Sequence, residues 1–238
     1  MEKPQIRKLF RKITARNVHK DSFNITHGLY TQFAILMKRL EREKLLSNHM
    51  IASYICLPNK EIPPPHIQGY EYAYPRFDKK LITDEVPLME FKLLPDINSC
   101  EEEVYGIKVP PKHLETVFPS VTLVPLTCFN PVSKQRIGKG GGYYDCYIRF
   151  MRKSGIKSTF VGVASSFLEC QQQFWADHDQ PLDFIITEKN IYWCYSSYFP
   201  LLLYLLSYNN SYEAKPFISS SSISLNKRLR VMSTCSLV

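Results

Sequence analysis

Residues 136–145 read Arg-Ile-Gly-Lys-Gly-Gly-Gly-Tyr-Tyr-Asp and contain four of the nine glycines in this 238-residue chain. Glycine lets successive backbone N–H groups face one concavity, because no Cβ blocks the approach of a ligand. Arg136 and Lys139 add positive charge where phosphate oxygens would lie. The segment therefore predicts a binding site for a nucleotide polyphosphate, with a flexible loop as the alternative.

The residues after the glycines predict a helix, because Tyr144, Tyr147, Ile148 and Met151 follow helical spacing. The N-terminus of a helix favours bound anions. Asp145 would then lie near the phosphates, where Mg²⁺ usually takes one or two carboxylates. The glycine order matches neither a Walker A loop nor a dinucleotide-binding fingerprint, which disfavours a conventional ATPase or dehydrogenase.

Outside this segment, short runs of Val, Ile and Leu alternate with longer amphipathic stretches. This pattern predicts an α/β fold, which we expect to be a single-domain, three-layer Rossmann-like sheet flanked by helices over residues 1–193. The predicted helices are 3–16 and 29–46, and the predicted strands are 50–56, 71–74, 87–94, 121–125, 159–164 and 183–187. Segments 96–103 and 110–119 are polar and are expected to be loops.

The first predicted helix is basic and amphipathic. Lys3, Arg7 and Arg11 are four residues apart and share one face, while Ile6 and Phe10 line a neighbouring face. These residues alone are compatible with a solvated structural helix, an anion-binding helix or an Arg-rich transit peptide. The formal charge of +8 indicates an anionic partner without identifying the anion.

The cysteines and the chain ends bear on localisation. Seven dispersed cysteines without a Cys-x-x-Cys pair predict neither a disulfide framework nor a zinc site. No secretory signal follows Met1, so we expect a cytoplasmic protein. Residues 194–238 are expected to form an atypical, poorly ordered extension. Residues 190–212 carry no charge, but their polar residues favour a packed or disordered segment over a membrane anchor.

Two blocks, 124–130 and 136–145, resemble the signature of the 5-formyltetrahydrofolate cyclo-ligase family, also called methenyltetrahydrofolate synthetases. Further blocks resemble the same family in order along the chain between residues 3 and 192. They are Lys3 with Arg7, and segments 55–61, 74–77, 89–91, 105–107, 178–183 and 186–188. The resemblance favours an anion-binding role for the first helix, since Lys3 then occupies a family binding position.

The resemblance implies an ATP- and Mg²⁺-dependent cyclisation of 5-formyltetrahydrofolate, with or without a polyglutamate tail. It implies the catalytic residues Arg136, Lys139 and Tyr143 and the metal ligands Asp145 and Asp179. ATP would contact Lys3, Arg7, Arg136, Ile137, Gly138, Lys139, Gly140, Gly141, Gly142, Tyr143 and Tyr144. The folate would contact Cys56, Glu61, Lys139 and Tyr143. We expect a monomer with no nucleic-acid or membrane partner.

Lys108, Val109, Leu126 and Asn130 depart from the family pattern. An acidic residue is usual within segment 106–110, glycine is usual after Pro125, and aspartate is common at position 130. These departures concern folate binding more than nucleotide binding. The alternative function is a non-catalytic relative that binds RNA or another anion, but retention of Arg136, Asp145 and Asp179 together favours an enzyme.

Overall fold

The computed structural model describes residues 1–57, 60–77, 89–100, 102–104, 107–173 and 176–193. The predicted extension at 194–238 lies outside these residues, as do the first two residues of the predicted strand 87–94 and residues 105–106 of a family-like block. Within the described ranges, no helix is both long enough and apolar enough to span a bilayer.

Two helices open the chain. The first, α1 (Lys3–Asn17), agrees with its prediction and buries Ile6 and Phe10. The second, α2 (Ser22–Arg42), begins before the predicted residue 29 and ends before residue 46. Gly28, which weakens the helical pattern in sequence, is required by packing: a Cβ there would lie 2.5 Å from the carbonyl oxygen of Glu188. Lys44 adopts a φ of 54°, a left-handed conformation that ends the helix.

Twelve strands and a third long helix follow in the described part of the chain. The strands are β1 (Met50–Ala52), β2 (Glu71–Phe77), β3 (Met89–Leu93), β4 (Glu102–Val104), β5 (Ile107–Val109), β6 (Thr116–Val117), β7 (Val121–Pro125), β8 (Cys128–Phe129), β9 (Arg136–Ile137), β10 (Thr159–Val163), β11 (Phe184–Ile186) and β12 (Ile191–Trp193). The helix α3 (Tyr143–Lys153) confirms the helix predicted after the glycines, and Tyr147, Ile148 and Met151 are its buried residues.

The main sheet has eight strands in the order β12-β11-β10-β7-β1-β2-β3-β6. The five central strands, from β11 to β2, are parallel, and the outer strands β12, β3 and β6 each pair antiparallel with the inner neighbouring strand. The central strands β7 and β10 are buried almost throughout, as expected for parallel strands covered on both faces. The α/β prediction of a sheet flanked by helices is confirmed.

Several predicted boundaries are wrong. Strand β1 ends at Ala52 instead of residue 56, and the expected loops 96–103 and 110–119 contain a single 3₁₀ turn, Ile97–Ser99, and the short strands β4 and β6. Strands of two or three residues are too short to show an alternating pattern of apolar residues. Their pairing depends on contacts with distant segments, which local periodicity does not encode.

The core of the molecule contains an unsatisfied hydroxyl. Tyr147 is 1% exposed, its ring packs at 5.0 Å from that of Phe91, and its hydroxyl has no hydrogen-bond partner among the described residues. A buried polar group without a partner destabilises a protein by about 1–3 kcal/mol. We expect Tyr147→Phe to raise the free energy of unfolding by about 1 kcal/mol in urea denaturation.

Tyr54→Phe provides the contrasting variant, because the Tyr54 hydroxyl donates to the carbonyl of Ile62 at 2.5 Å. Removal of this bonded hydroxyl should lower the free energy of unfolding by about 1 kcal/mol. If Tyr147→Phe destabilised the protein as much as Tyr54→Phe, the Tyr147 hydroxyl would have a partner in solution.

Glu188 ties the end of β11 to the start of the 3₁₀ turn Ser166–Leu168. The Ser166 N–H lies 3.0 and 3.3 Å from its two carboxylate oxygens, and the Ser166 hydroxyl donates to the same carboxylate. Burial by itself would raise the pKa of Glu188, but the hydrogen bonds from Ser166 outweigh it, so the pKa lies below its ordinary value. The ionised carboxylate therefore stabilises the folded state.

We expect Glu188→Gln to lower the free energy of unfolding by about 1–2 kcal/mol at neutral pH. The contribution of a carboxylate with a lowered pKa is present above its unfolded pKa of about 4.3 and is lost as the pH falls through the lower folded value. Chemical denaturation of both proteins across this range should show the difference shrinking in acid. A difference that stayed constant with pH would contradict the role of the charge.

Candidate active site

The segments that follow the central strands enclose a cavity of about 320 Å³. Tyr54 follows β1, Phe77 ends β2, and Val124 and Pro125 end β7, so the cavity lies at the carboxyl ends of parallel strands. Ligands of open α/β sheets bind at this edge. Every residue predicted to bind ATP or metal lines the cavity, and so does Glu61; Cys56 does not.

The glycine segment forms one wall of the cavity. Gly140 has a φ of 105° and Gly142 a φ of 70°, conformations that residues with a side chain rarely adopt. Gly142 is also the N-cap of α3. The backbone N–H groups of residues 139–142 have no acceptor within the described part of the chain. Four successive unpaired donors at a helix N-terminus form a cradle for an anion.

Helix α1 lies against this wall. Arg7 donates through Nε to the carbonyl of Gly138 at 2.9 Å, and a Cβ at Gly140 would lie 3.3 Å from the guanidinium carbon of Arg7. Lys3, one turn earlier, forms a 2.6 Å ion pair with Asp179. The spacing of four residues thus directs Lys3 and Arg7 toward the cavity.

The two candidate metal ligands are held in similar ways. One oxygen of Asp145 accepts from Arg136 at 2.7 Å and from the N–H of Gln180 at 2.9 Å. One oxygen of Asp179 accepts from Lys3 at 2.6 Å and from the N–H of Ala176 at 2.8 Å. The second oxygen of Asp145 accepts no hydrogen bond within the described residues, and that of Asp179 lies 3.8 Å from His178.

These carboxylates fit a hard cation shared with a phosphate. No group of three or more His, Cys, Asp or Glu side chains in the described ranges is placed to hold a metal. Mg²⁺ in nucleotide sites needs fewer, because phosphates and water supply its remaining oxygen ligands. Asp145 and Asp179 each present one uncommitted oxygen at the cavity, which suits that mode of binding.

Glu61 lines the cavity with a side chain that is 5% exposed. One of its oxygens accepts from the N–H of Leu57 at 2.7 Å, and the other is paired with the ammonium group of Lys139. Lys139 is 41% exposed and reaches Glu61 from the glycine segment. The ion pair therefore joins the anion cradle to the buried end of the cavity.

Apart from Lys139, three titratable groups near Glu61 are neutral at pH 7, namely Tyr54, Tyr144 and Cys56. Burial raises the pKa of Tyr54 well above its ordinary value, and the charge of Glu61 raises it further. The same two causes raise the pKa of Tyr144. Cys56 has a pKa of about 11 because of burial and the Glu61 charge, against the opposing effect of Lys139. These groups can donate hydrogen bonds at neutral pH but do not act as bases or as a thiolate nucleophile.

The predictions missed an apolar part of the cavity. It is formed by Tyr54, Pro75, Phe77, Met89 and Ile107. The ring of Phe77 lies 5.2 Å from that of Tyr143, so this surface continues to the glycine segment. Strand residues that line a cavity have the same apolar character as strand residues in the core, and periodicity does not separate the two. His178 also lines the cavity, with a side chain that is 71% exposed.

The four departures from the family pattern do not line the cavity. Asn130 is buried, and its side-chain oxygen accepts from the N–H groups of Val132 and Ser133 at 2.8 Å each, a role that aspartate would also fill. Leu126 fills space beside Gly162, where a Cβ would lie 2.9 Å from it. Val109 is buried and Lys108 is exposed. The four side chains therefore lie outside the lining of the cavity.

Comparison with known proteins identifies a family for the chain and solved structures with a similar fold. Residues 2–188 match the model of the 5-formyltetrahydrofolate cyclo-ligase family. A 5,10-methenyltetrahydrofolate synthetase from Mycoplasma pneumoniae is similar in structure, with a TM-score of 0.54 and 20% identity, over 79% of this chain and 99% of that one. The 5,10-methenyltetrahydrofolate synthetase of Aquifex aeolicus has a TM-score of 0.58 and 22% identity, over 81% and 93%. At these identities the structural likeness establishes a shared fold. No curated protein sequence is significantly similar to the chain.

Proposed function

The chain belongs to the 5-formyltetrahydrofolate cyclo-ligase family, and from this premise we propose that it converts 5-formyltetrahydrofolate and ATP into 5,10-methenyltetrahydrofolate, ADP and phosphate. The observation that carries the proposal is a cavity lined by Glu61, by two carboxylates and by residues 139–142, whose N–H groups have no acceptor among the described residues. A phosphate cradle and a buried acceptor for a heterocycle are the two halves that this reaction requires.

The nucleotide binds with its phosphates at the glycine segment. Lys3, Arg7, Arg136 and Lys139 supply positive charge, and the backbone N–H groups of residues 139–142 donate to phosphate oxygens. The start of α3 points its N-terminus into the same space, which favours anions further. Ile137 and Tyr144 complete the wall against which the nucleotide lies.

Asp145 and Asp179 would hold Mg²⁺, since each has a carboxylate oxygen that accepts no hydrogen bond from the described residues. When bound, the ion neutralises phosphate charge and orients the γ-phosphoryl group for transfer. Arg136 and Lys3 fix the orientation of the two carboxylates, since each donates to one carboxylate oxygen and leaves the other without a hydrogen bond from the described residues.

The folate binds on the other side, with its pterin at Glu61. A carboxylate can accept two hydrogen bonds from the amino-pyrimidine edge of a pterin. Phe77, Met89 and Tyr143 offer apolar and aromatic surface for the ring system. Cys56 lies beside Glu61 without lining the cavity and acts only through the loop that holds this acid.

The reaction begins when the formyl oxygen attacks the γ-phosphorus of ATP and ADP leaves. The formyl carbon, now bonded to a phosphorylated oxygen, is open to attack by N10. Ring closure forms the N10–C bond, N10 loses its proton, and inorganic phosphate departs with the C–O bond electrons. Arg136, Lys139 and the donors of the glycine segment stabilise the charge on the transferred phosphoryl group, which is the main source of catalysis in such transfers.

The proposal is tested by incubating the purified full-length chain with 5-formyltetrahydrofolate and Mg-ATP. The methenyl product has a near-ultraviolet absorbance, and its appearance should be matched by an equal amount of ADP. Omission of ATP or chelation of Mg²⁺ should abolish it. Absence of product under these conditions, from protein shown to be folded, would refute the proposed function. RNA binding that weakened with salt would then favour the non-catalytic alternative.

A further inference from the structure

We infer that Arg11 is a positioning residue for the glycine segment, and this inference rests on the proposed function for its effect on ATP. Arg11 lies on the same face of α1 as Lys3 and Arg7, but it does not line the cavity. Its guanidinium donates to the carbonyl of Lys139 at 3.1 Å, as that of Arg7 donates to Gly138 at 2.9 Å. Two arginines one turn apart thus hold two successive carbonyl groups.

The geometry of the peptide bond sets the directions of the N–H groups of Lys139 and Gly140. The described residues contain no cis peptide, and in a trans peptide the carbonyl of one residue and the N–H of the next point in opposite directions. The bond from Arg7 therefore turns the N–H of Lys139 away from α1. The bond from Arg11 does the same for the N–H of Gly140. Both N–H groups belong to the set that has no acceptor among the described residues.

Arg11 is needed because the backbone at Gly140 has a wide conformational freedom. It has a φ of 105° and no side chain to anchor it, so its peptide groups can rotate. Lys139 is also the residue whose side chain reaches Glu61. The hydrogen bond from Arg11 to the Lys139 carbonyl fixes the backbone between the Lys139 side chain and the N–H of Gly140. Donors that are already held in place bind an anion without first being ordered.

The test compares Arg11→Gln and Arg11→Lys with Lys8→Gln. Lys8 is exposed on the same helix and the described residues give it no hydrogen bond, so Lys8→Gln removes an equal charge without touching the segment. In the ligand-free proteins, ¹⁵N relaxation should give lower backbone order parameters for residues 138–142 in Arg11→Gln than in the parent chain or Lys8→Gln. All variants should melt within about two degrees of the parent, because Arg11 is exposed.

The same proteins are then titrated with Mg-ATP, and the steady-state constants are measured. Arg11→Gln should weaken Mg-ATP binding about five- to tenfold, with the KM for 5-formyltetrahydrofolate within about twofold. Arg11→Lys should lose less Mg-ATP affinity than Arg11→Gln, and Lys8→Gln should lose no affinity. Equal losses of Mg-ATP affinity in Arg11→Gln and Lys8→Gln, or unchanged order parameters in Arg11→Gln, would overturn the inference. If the parent chain bound no Mg-ATP, the proposed function would fail, and the order parameters alone would still decide whether Arg11 positions the segment.

Discussion

Asp145→Asn should lower kcat by about 100- to 1000-fold, the loss seen when one electrostatic stabiliser of a transition state is removed. Asn preserves the shape of the side chain, and its oxygen can still accept from the N–H of Gln180, which lies 2.9 Å from the Asp145 carboxylate in the parent chain. It removes the charge that Arg136 pairs with at 2.7 Å and the anionic oxygen proposed for Mg²⁺. The measurement is the rate of methenyl product formation at saturating ATP.

Two comparisons separate loss of the metal ligand from loss of structure. Asp177→Asn removes the same charge from an exposed residue close to Asp179 and should leave the rate within about twofold. A rise in Mg²⁺ concentration should restore part of the activity of Asp145→Asn if Asp145 binds the ion. A rate for Asp145→Asn near that of the parent chain would exclude Asp145 from the reaction.

Much of the site was predictable because its parts are local. The glycines, Arg136, Lys139 and Asp145 lie within ten residues of each other in the sequence, and the start of α3 follows directly from the apolar spacing at Tyr147, Ile148 and Met151. The basic face of α1 was also predictable, because Lys3, Arg7 and Arg11 are four residues apart in the sequence. Local patterns of this kind report chemistry without knowledge of the tertiary fold.

The remainder depends on distant segments that meet only in the folded chain. The pair Lys139–Glu61 joins the segment after β9 to the loop after β1, and no spacing relates the two. Gly28 shows the same limit: it looks unfavourable within α2, but the close approach of Glu188 requires it. Resemblance to the family supplied Glu61 and Asp179 as candidates, whereas the contact of Arg11 with Lys139 required the structure.

Glu61→Gln should lower kcat/KM for 5-formyltetrahydrofolate by about 100-fold, because a charged hydrogen-bond acceptor in a buried position is worth about 1.5–3 kcal/mol. The side chain is 5% exposed, so little water is present to replace the lost interaction. Gln can accept through one atom only, whereas the carboxylate accepts through both. The loss should appear mainly in the KM for the folate.

Binding of Mg-ATP provides the internal comparison for this variant. Glu61 holds Lys139 through an ion pair in the ligand-free chain, and Gln releases the ammonium group toward the anion cradle. The dissociation constant of Mg-ATP should therefore stay within about threefold of the parent value or become smaller. Glu71→Gln, at an exposed residue that begins β2, should change neither constant. Equal losses of folate and nucleotide affinity in Glu61→Gln would mean that Glu61 maintains the whole cavity, and the assignment of this acid to the pterin would fall.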